Sequence, residues 1–142
     1  MRIPTTLLLS LTLAFTALAA EKKQIQPPGT STRMFSPGLL VDGTLYVSGS
    51  LGQDPKTHAI PGKFEDEVKF CLESIGAILK AGGMDYSDVV STRVFLTDPE
   101  LFKPMNAVYE TFFKDPRPAR TTVVVRLASQ GAHIEVDVVA KK

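Results

Sequence analysis

Pro118-Ala119-Arg120-Thr121 and Ile134-Glu135-Val136-Asp137 hold the residue types in this chain best suited to chemistry. The first segment opens a β-rich run with an arginine, and the second sets two carboxylates in an alternating run. A guanidinium is a planar fork that grips a carboxylate through two parallel hydrogen bonds. A carboxylate in a desolvated site can relay protons. If the two strands pair, Arg120 and an acid of the last strand share one face of a sheet. They could then hold a small carboxylate substrate and move a proton beside it. Arg117 and Arg126 are rivals of Arg120, and both read as structural or rim residues. Asp137 is the rival of Glu135; it reads as the partner of a cation, with Arg126 the candidate.

Other reactive residue types point elsewhere. The single cysteine, Cys71, excludes an intrachain disulfide. It falls within an apolar helical stripe and reads as a small buried hydrophobe. His58 and His133 stand far apart without companions at metal-ligand spacing, so no metal site is expected.

Arg2, the apolar run Leu7 to Leu18 and the Ala17-Leu18-Ala19 pattern read as a secretory signal over residues 1–19, cut after Ala19 or Ala20. The apolar run is shorter than the roughly 20 residues a membrane span needs. About 120 residues remain, the size of one domain. The formal charge is +1; removing Arg2 takes it to 0, so no basic field favours nucleic acid or anionic lipid.

Residues 20–38 are rich in Pro, Gly, Ser and Thr and read as an extended arm; residues 39–142 read as the folded domain. Leu39-Leu40-Val41 and Thr44 to Ser48 are strands around a tight Asp42-Gly43 turn. Phe64, Val68, Cys71, Leu72, Ile75, Ile78 and Leu79 repeat with helical period, and Gly82-Gly83 ends that helix. Val89 to Leu96 reads as a strand. Asp98-Pro99 starts a short turn, and a second helix is expected from about Pro104, with Met105, Val108, Tyr109 and Phe112 buried. Strands at 120–127 and 133–140 close the chain. The order β-β-α-β-α-β-β with two helices predicts an α+β layer pair, helices on one face.

Strand alternation sorts the faces. Ile134, Val136, Val138 and Ala140 form one face of the last strand. Thr121, Val123, Val125 and Leu127 form one face of the strand before it. Both are expected under the helices. The mixed faces, with Val124 and Val139 among charges, are expected to meet another subunit.

The chain resembles the RidA (YjgF) family of imine and enamine deaminases, also called the endoribonuclease L-PSP family. The carrying residues are Leu45-Tyr46-Val47-Ser48-Gly49, Asp54-Pro55-Lys56-Thr57, Val94-Phe95-Leu96-Thr97-Asp98, Asn106-Ala107-Val108-Tyr109, Pro118-Ala119-Arg120 and Ile134-Glu135-Val136. The resemblance implies a chorismate-mutase-like α+β fold, a homotrimer and active sites in clefts between subunits. It also implies that Arg120 binds the carboxylate of a 2-imino acid and that Glu135, rather than Asp137, serves the attacking water. Gly49 would approach the substrate through its backbone, Thr122 would offer backbone contacts, and Phe35 and Asn106 would face the cleft. No metal or organic cofactor is implied. Read without the resemblance, Gly49 is a bulge or strand-end glycine, Phe35 packs, and Asn106 is a helix-surface residue.

The pattern departs from the family in several places. Thr121 follows the arginine where Ser, Ala or Cys is usual, and Ser50 stands in place of Gln. Met34-Phe35-Ser36-Pro37 replaces a Tyr-containing segment, so Phe35 offers no phenolic hydroxyl. The altered wall bears on substrate identity. An exported, periplasmic protein would also not meet imines made in the cytosol. A small-carboxylate binder on the same fold and an endoribonuclease are therefore the competing readings, and the neutral charge counts against the second. Mass spectrometry of the native secreted protein should find an N-terminus at Ala20 or Glu21; an intact Met1 in a cytosolic fraction would rule out the signal.

Overall fold

A computed structural model describes residues 20–30 and 34–142. The signal read over residues 1–19 lies outside the described residues. The described chain runs β1 (Lys22–Ile25), β2 (Gly38–Val41), β3 (Thr44–Leu51), α1 (Phe64–Ala81), β4 (Val89–Leu96), α2 (Phe102–Phe112), β5 (Ala119–Val124) and β6 (Ile134–Lys141). These strands form one sheet in the order β1-β2-β3-β6-β4-β5.

The topology follows from two crossovers. β3 and β4 both lie antiparallel to β6 and are therefore parallel to each other; β4 and β5 pair in parallel. The links β3-α1-β4 and β4-α2-β5 step the same way across the sheet. A right-handed crossover then sends both helices to the same face. α1 packs on β3 and β6 and against α2, as the α+β layer expectation requires.

Local chemistry accounts for most of the elements. Asp42 (φ 48°) and Gly43 (φ 70°) make the two-residue hairpin turn between β2 and β3, which needs positive φ at both positions. Glu65, Asp66 and Glu67 occupy the first turn of α1 and Lys80 its last, matching the helix dipole. Asp98 accepts from the Glu100 amide at 2.8 Å and caps a 3₁₀ turn over Pro99–Leu101. That turn runs directly into α2, so the helix begins at Phe102 rather than about Pro104. Pro104 sits in its first turn, where the missing N–H has no helical acceptor to serve.

The segment expected as an extended arm contributes a strand. β1 pairs antiparallel with β2, Ile25 opposite Gly38. Ile25 is buried in the core beside Leu45 and Ile78, where Gly38 has no side chain to exclude it. Four residues with one apolar position, followed by Pro27-Pro28, are too short a pattern to announce a strand.

The core lies between the sheet and the helices: Leu45, Val47, Val94, Leu96, Ile134, Val136, Val138 and Ala140 below, Val68, Cys71, Leu72, Ile75, Leu79, Met105 and Phe113 above. Glu67 is fully buried among them. Its Oε1 accepts from the amides of His133 (2.7 Å) and Ile134 (3.3 Å), and its Oε2 lies 2.8 Å from His133 Nδ1. A carboxylate on α1 thus fixes the start of β6. Gly52 allows this approach, because a Cβ there would overlap the Glu67 backbone.

The expected faces of β5 are reversed. Arg120, Thr122 and Val124 stand opposite Thr92, Val94 and Leu96, which are buried under the helices. Thr121 and Val123 stand opposite Arg93 and Phe95 on the open face. Val124 and Val139 therefore lie on opposite faces, since Val139 is opposite Ser91 and Tyr46. β5 is an edge strand that α2 covers incompletely, so its helix-side positions need not be apolar. The strand also ends at Val124, short of the expected residue 127. The open face carries Tyr46, Arg93, Phe95, Val123, Glu135, Asp137 and Val139. Asp137 accepts from Arg93 Nε at 2.9 Å, so its partner is Arg93 and not Arg126.

Replacing Glu67 by Ala leaves the part-buried His133 amide and the buried Ile134 amide without their acceptor. Urea denaturation at fixed protein concentration should show a loss of about 3 kcal/mol. Glu67→Gln retains a carbonyl oxygen and should lose less than half of that; equal losses would refute the capping role.

Candidate functional site

The residues singled out in the sequence assemble as two groups on opposite faces. One group is built by α2 and β5. Pro118 leads into β5, and Arg120 is its second residue, directed toward α2. The Arg120 Cζ lies 4.7 Å from the centroid of the Tyr109 ring and 5.7 Å from that of Phe102. Its Nη1 is 4.0 Å from Met105 Sδ. No carboxylate among the described residues pairs with Arg120, although Arg93 and Arg117 each have one. Arg120 borders a recess with Asn106, Tyr109, Glu110, Arg117 and Pro118. Thr122 points the same way two residues on, and its Oγ1 is buried without a hydrogen-bond partner.

The second group is built by β3, β6 and the segment before β2. Pairing between β3 and β6 shifts by one residue between Val47 and Ser50, so Gly49 lies in a β-bulge. Glu135 is half-buried on the adjacent strand, and a Cβ on Gly49 would overlap its carboxylate. The bulge reading of Gly49 and a close approach thus hold together: the missing side chain is what lets Glu135 lie there. Phe35 is 58% exposed and borders a recess between Ser48, Gly49 and Ser50 of β3 and Ser74, Ala77 and Ile78 of α1; Glu135 does not line it. The Ser48 amide donates to Pro37 O at 2.9 Å and its hydroxyl to Ser36 O at 2.7 Å. These bonds tie the Phe35 segment to the bulge.

Arg120 and Glu135 therefore do not share a face within one chain. β4 separates their strands, and their partners on it, Thr92 and Phe95, are an odd number of residues apart. Odd spacing along a pleated strand means opposite faces. One chain thus places Arg120, Asn106 and Thr122 on the helix side and Glu135 beside Gly49 on the open side, with Phe35 at the recess between β3 and α1.

The rivals are engaged or stand apart, except that Arg117 shares the recess of Arg120. Asp137 is engaged by Arg93. Arg117 pairs with Asp115 at 3.5 Å on the exposed rim, and Arg126 lies beside the 127–132 loop. Cys71 donates to Ser50 O at 3.0 Å, and burial pushes its thiol well above the ordinary range, as suits a packed, unreactive cysteine. Among the described residues no three His, Cys, Asp or Glu side chains group to hold a metal ion.

Sequence reasoning missed the ring shelf beneath Arg120. Tyr109 and Met105 read as core, which they are, with 5% and 0% exposure. Tyr109 nevertheless turns its ring face to Arg120 while its hydroxyl shares a 2.9 Å hydrogen bond with Thr92. Burial raises the phenol's pKa, against the opposing pull of Thr92 and of the Arg120 and Arg117 charges. The available signal was the spacing of Phe102, Asn106 and Tyr109, which puts a polar residue and two rings on one face of α2.

The chain is thus an α+β domain whose Arg120 has no acid partner among the described residues and whose Glu135 lies on the opposite sheet face. Residues 25–142 match the family described as Endoribonuclease L-PSP, and the chain belongs to this RidA/YjgF family. It is 40% identical over 107 residues to a rat protein named 2-iminobutanoate/2-iminopropanoate deaminase, covering 75% of this chain and 78% of the relative. The human protein of the same name is 39% identical over the same length. Among solved structures, RidA from the Antarctic bacterium Psychrobacter sp. PAMC 21119 is 31% identical with a TM-score of 0.78, covering 84% of this chain and 99% of that one. E. coli TdcF with bound serine is 28% identical with a TM-score of 0.75, covering 84% and 98%.

Gly49→Ala forces a flexible carboxylate aside rather than the backbone. The variant should melt within a few degrees of wild type, with the Glu135 carboxylate displaced in its crystal structure; an unmoved Glu135 would refute the close approach.

Proposed function

We propose that this protein is a 2-imino acid deaminase that hydrolyses reactive imines to 2-oxo acids and ammonia, in clefts between the subunits of a homotrimer. The observation that carries the reading is the placement of two groups: an arginine without an ionic partner among the described residues on one face, and an acid beside a side-chain-free bulge on the other. Each half is built but insufficient alone. A neighbouring copy that brought its α2–β5 edge against the open face would join Arg120 of one chain to Glu135 of the next. The apolar share of that face, Tyr46, Phe95, Val123 and Val139, supports such a contact. The relatives named as iminobutanoate and iminopropanoate deaminases favour this substrate class.

In this reading Arg120 binds the substrate carboxylate bidentately and fixes the adjacent C=N carbon. Glu135 takes a proton from water as its oxygen adds to that carbon. That proton passes to nitrogen to give a carbinolamine; the hydroxyl proton then follows to nitrogen through Glu135, and the C–N bond breaks as the carbonyl forms and ammonia leaves. The Gly49 and Thr122 backbones and Asn106 line the substrate, and Phe35 offers an apolar wall. The reaction uses water and no cofactor. Arg2 with the Leu7–Leu18 run supports export, so the substrate would be an imine outside the cytosol.

Ammonia release from 2-iminopropanoate generated in situ tests the reading. Arg120→Lys keeps the charge but loses the fork and should lower kcat/KM at least about tenfold. Glu135→Gln should lower kcat about 10²-fold. Arg126→Ala should behave as wild type. Arg120→Ala and Glu135→Gln chains, each strongly impaired alone, should regain up to about a quarter of wild-type activity when refolded together, because about a quarter of randomly mixed interfaces pair two intact halves. No recovery from mixed trimers would rule out a shared site. Binding of 2-oxo acids through Arg120 without turnover would favour the carboxylate-binder instead.

A further inference from the structure

We propose that Tyr109 and Phe102 are positioning residues: their rings form a shelf that holds the Arg120 fork in place of an ionic partner. This rests on the reading that Arg120 receives a carboxylate. An arginine side chain has several rotatable bonds and must be held if its fork is to meet a planar anion in one geometry. The chain holds two other arginines with acids, Arg93 with Asp137 and Arg117 with Asp115. An acid beside Arg120 would occupy the same N–H donors that a substrate needs and cancel the charge that attracts it. An aromatic face holds a guanidinium through the ring's quadrupole and leaves the in-plane N–H groups free.

The shelf is itself anchored. The Tyr109 hydroxyl shares its hydrogen bond with Thr92, which is fully buried on β4 opposite Arg120. The Tyr109 ring stacks on Phe113 at 4.4 Å between centroids and 30° between planes. Its position is therefore set by the core. Phe102 is 44% exposed at the start of α2 and extends the shelf outward. Met105 Sδ lies alongside at 4.0 Å from Nη1. The core thus sets the orientation of an exposed cation.

Three variants test this: Tyr109→Phe keeps the ring, Tyr109→Leu removes it from the core, and Phe102→Leu removes an exposed ring at little cost to folding. Tyr109→Leu and Phe102→Leu should each raise KM for 2-iminopropanoate about tenfold while kcat falls less than threefold. Tyr109→Phe loses the bond to Thr92 but keeps the ring stacked on Phe113, so it should raise KM far less than Tyr109→Leu, by less than about threefold. A purely structural role would lower the melting temperature and leave KM unchanged. NMR of the ligand-free protein gives a readout independent of activity. The Arg120 side-chain protons should be shifted upfield by the Tyr109 ring in wild type and Tyr109→Phe, and lose that shift in Tyr109→Leu.

If Tyr109→Leu does not fold, the KM of Phe102→Leu decides. Unchanged KM in folded ring-loss variants, or an Arg120 signal without ring shift in wild type, overturns the shelf. A wild type that neither turns over imine nor binds 2-oxobutanoate, yet shows the ring shift and loses it in Tyr109→Leu, overturns the deaminase reading and leaves the shelf standing.

Discussion

Side chains on a pleated strand alternate between faces, and the arrangement of this protein depends on how that alternation is counted through β4. Arg120 is registered to Thr92 and Glu135 to Phe95, three residues apart on the same strand. Two groups separated by an odd count point to opposite sides of a sheet whatever their rotamers. The arginine is committed to the helix side, where α2 can support it, and the acid to the open side, where the β3 bulge can receive it. One chain cannot bring them together. If both residues serve one site, a second copy must supply one of them, which is why the proposed site lies between subunits.

The sheet order that sets this count depends on β6 lying between β3 and β4, and a buried acid pins that strand. Glu67 reaches across from α1 to the amides of His133 and Ile134. The two right-handed crossovers put both helices on that side. They leave the opposite face uncovered; it carries the Arg93–Asp137 pair, whose acid is buried and whose base is largely exposed. Such a pair is poorly placed to stabilise an isolated protomer. At an interface it would fix register between copies.

The division of labour among the arginines has the same logic. Where a guanidinium serves structure, an acid holds it and uses its donors. At Arg120 the proposed holder is a pair of rings, one fixed by the core and one exposed, and the donors stay open. Gly49 plays the matching part across the sheet: the absence of a side chain, rather than any group it carries, leaves room for Glu135.

The sequence by itself determined the elements whose signals are local. Helical period from Phe64 to Leu79, the Gly82-Gly83 stop, the Asp42-Gly43 hairpin and the alternation of the last strand all survive in the structure, because each is set by backbone preference or by burial of one face. Arg120, Glu135, Gly49, Phe35, Asn106 and Thr122 were all legible as candidates from residue type and family pattern. Their grouping was not. Whether β5 pairs with β6, and which way Arg120 then faces, depends on β4 inserting between them, a long-range choice with no local signature. The apolar alternation of β5 even pointed to the wrong face, because an edge strand that α2 covers incompletely does not need an apolar inner side. The strand at Lys22–Ile25, the buried Glu67, the Arg93–Asp137 pair and the rings under Arg120 share that cause. Each is defined by a partner distant in the chain, and only tertiary structure selects distant partners.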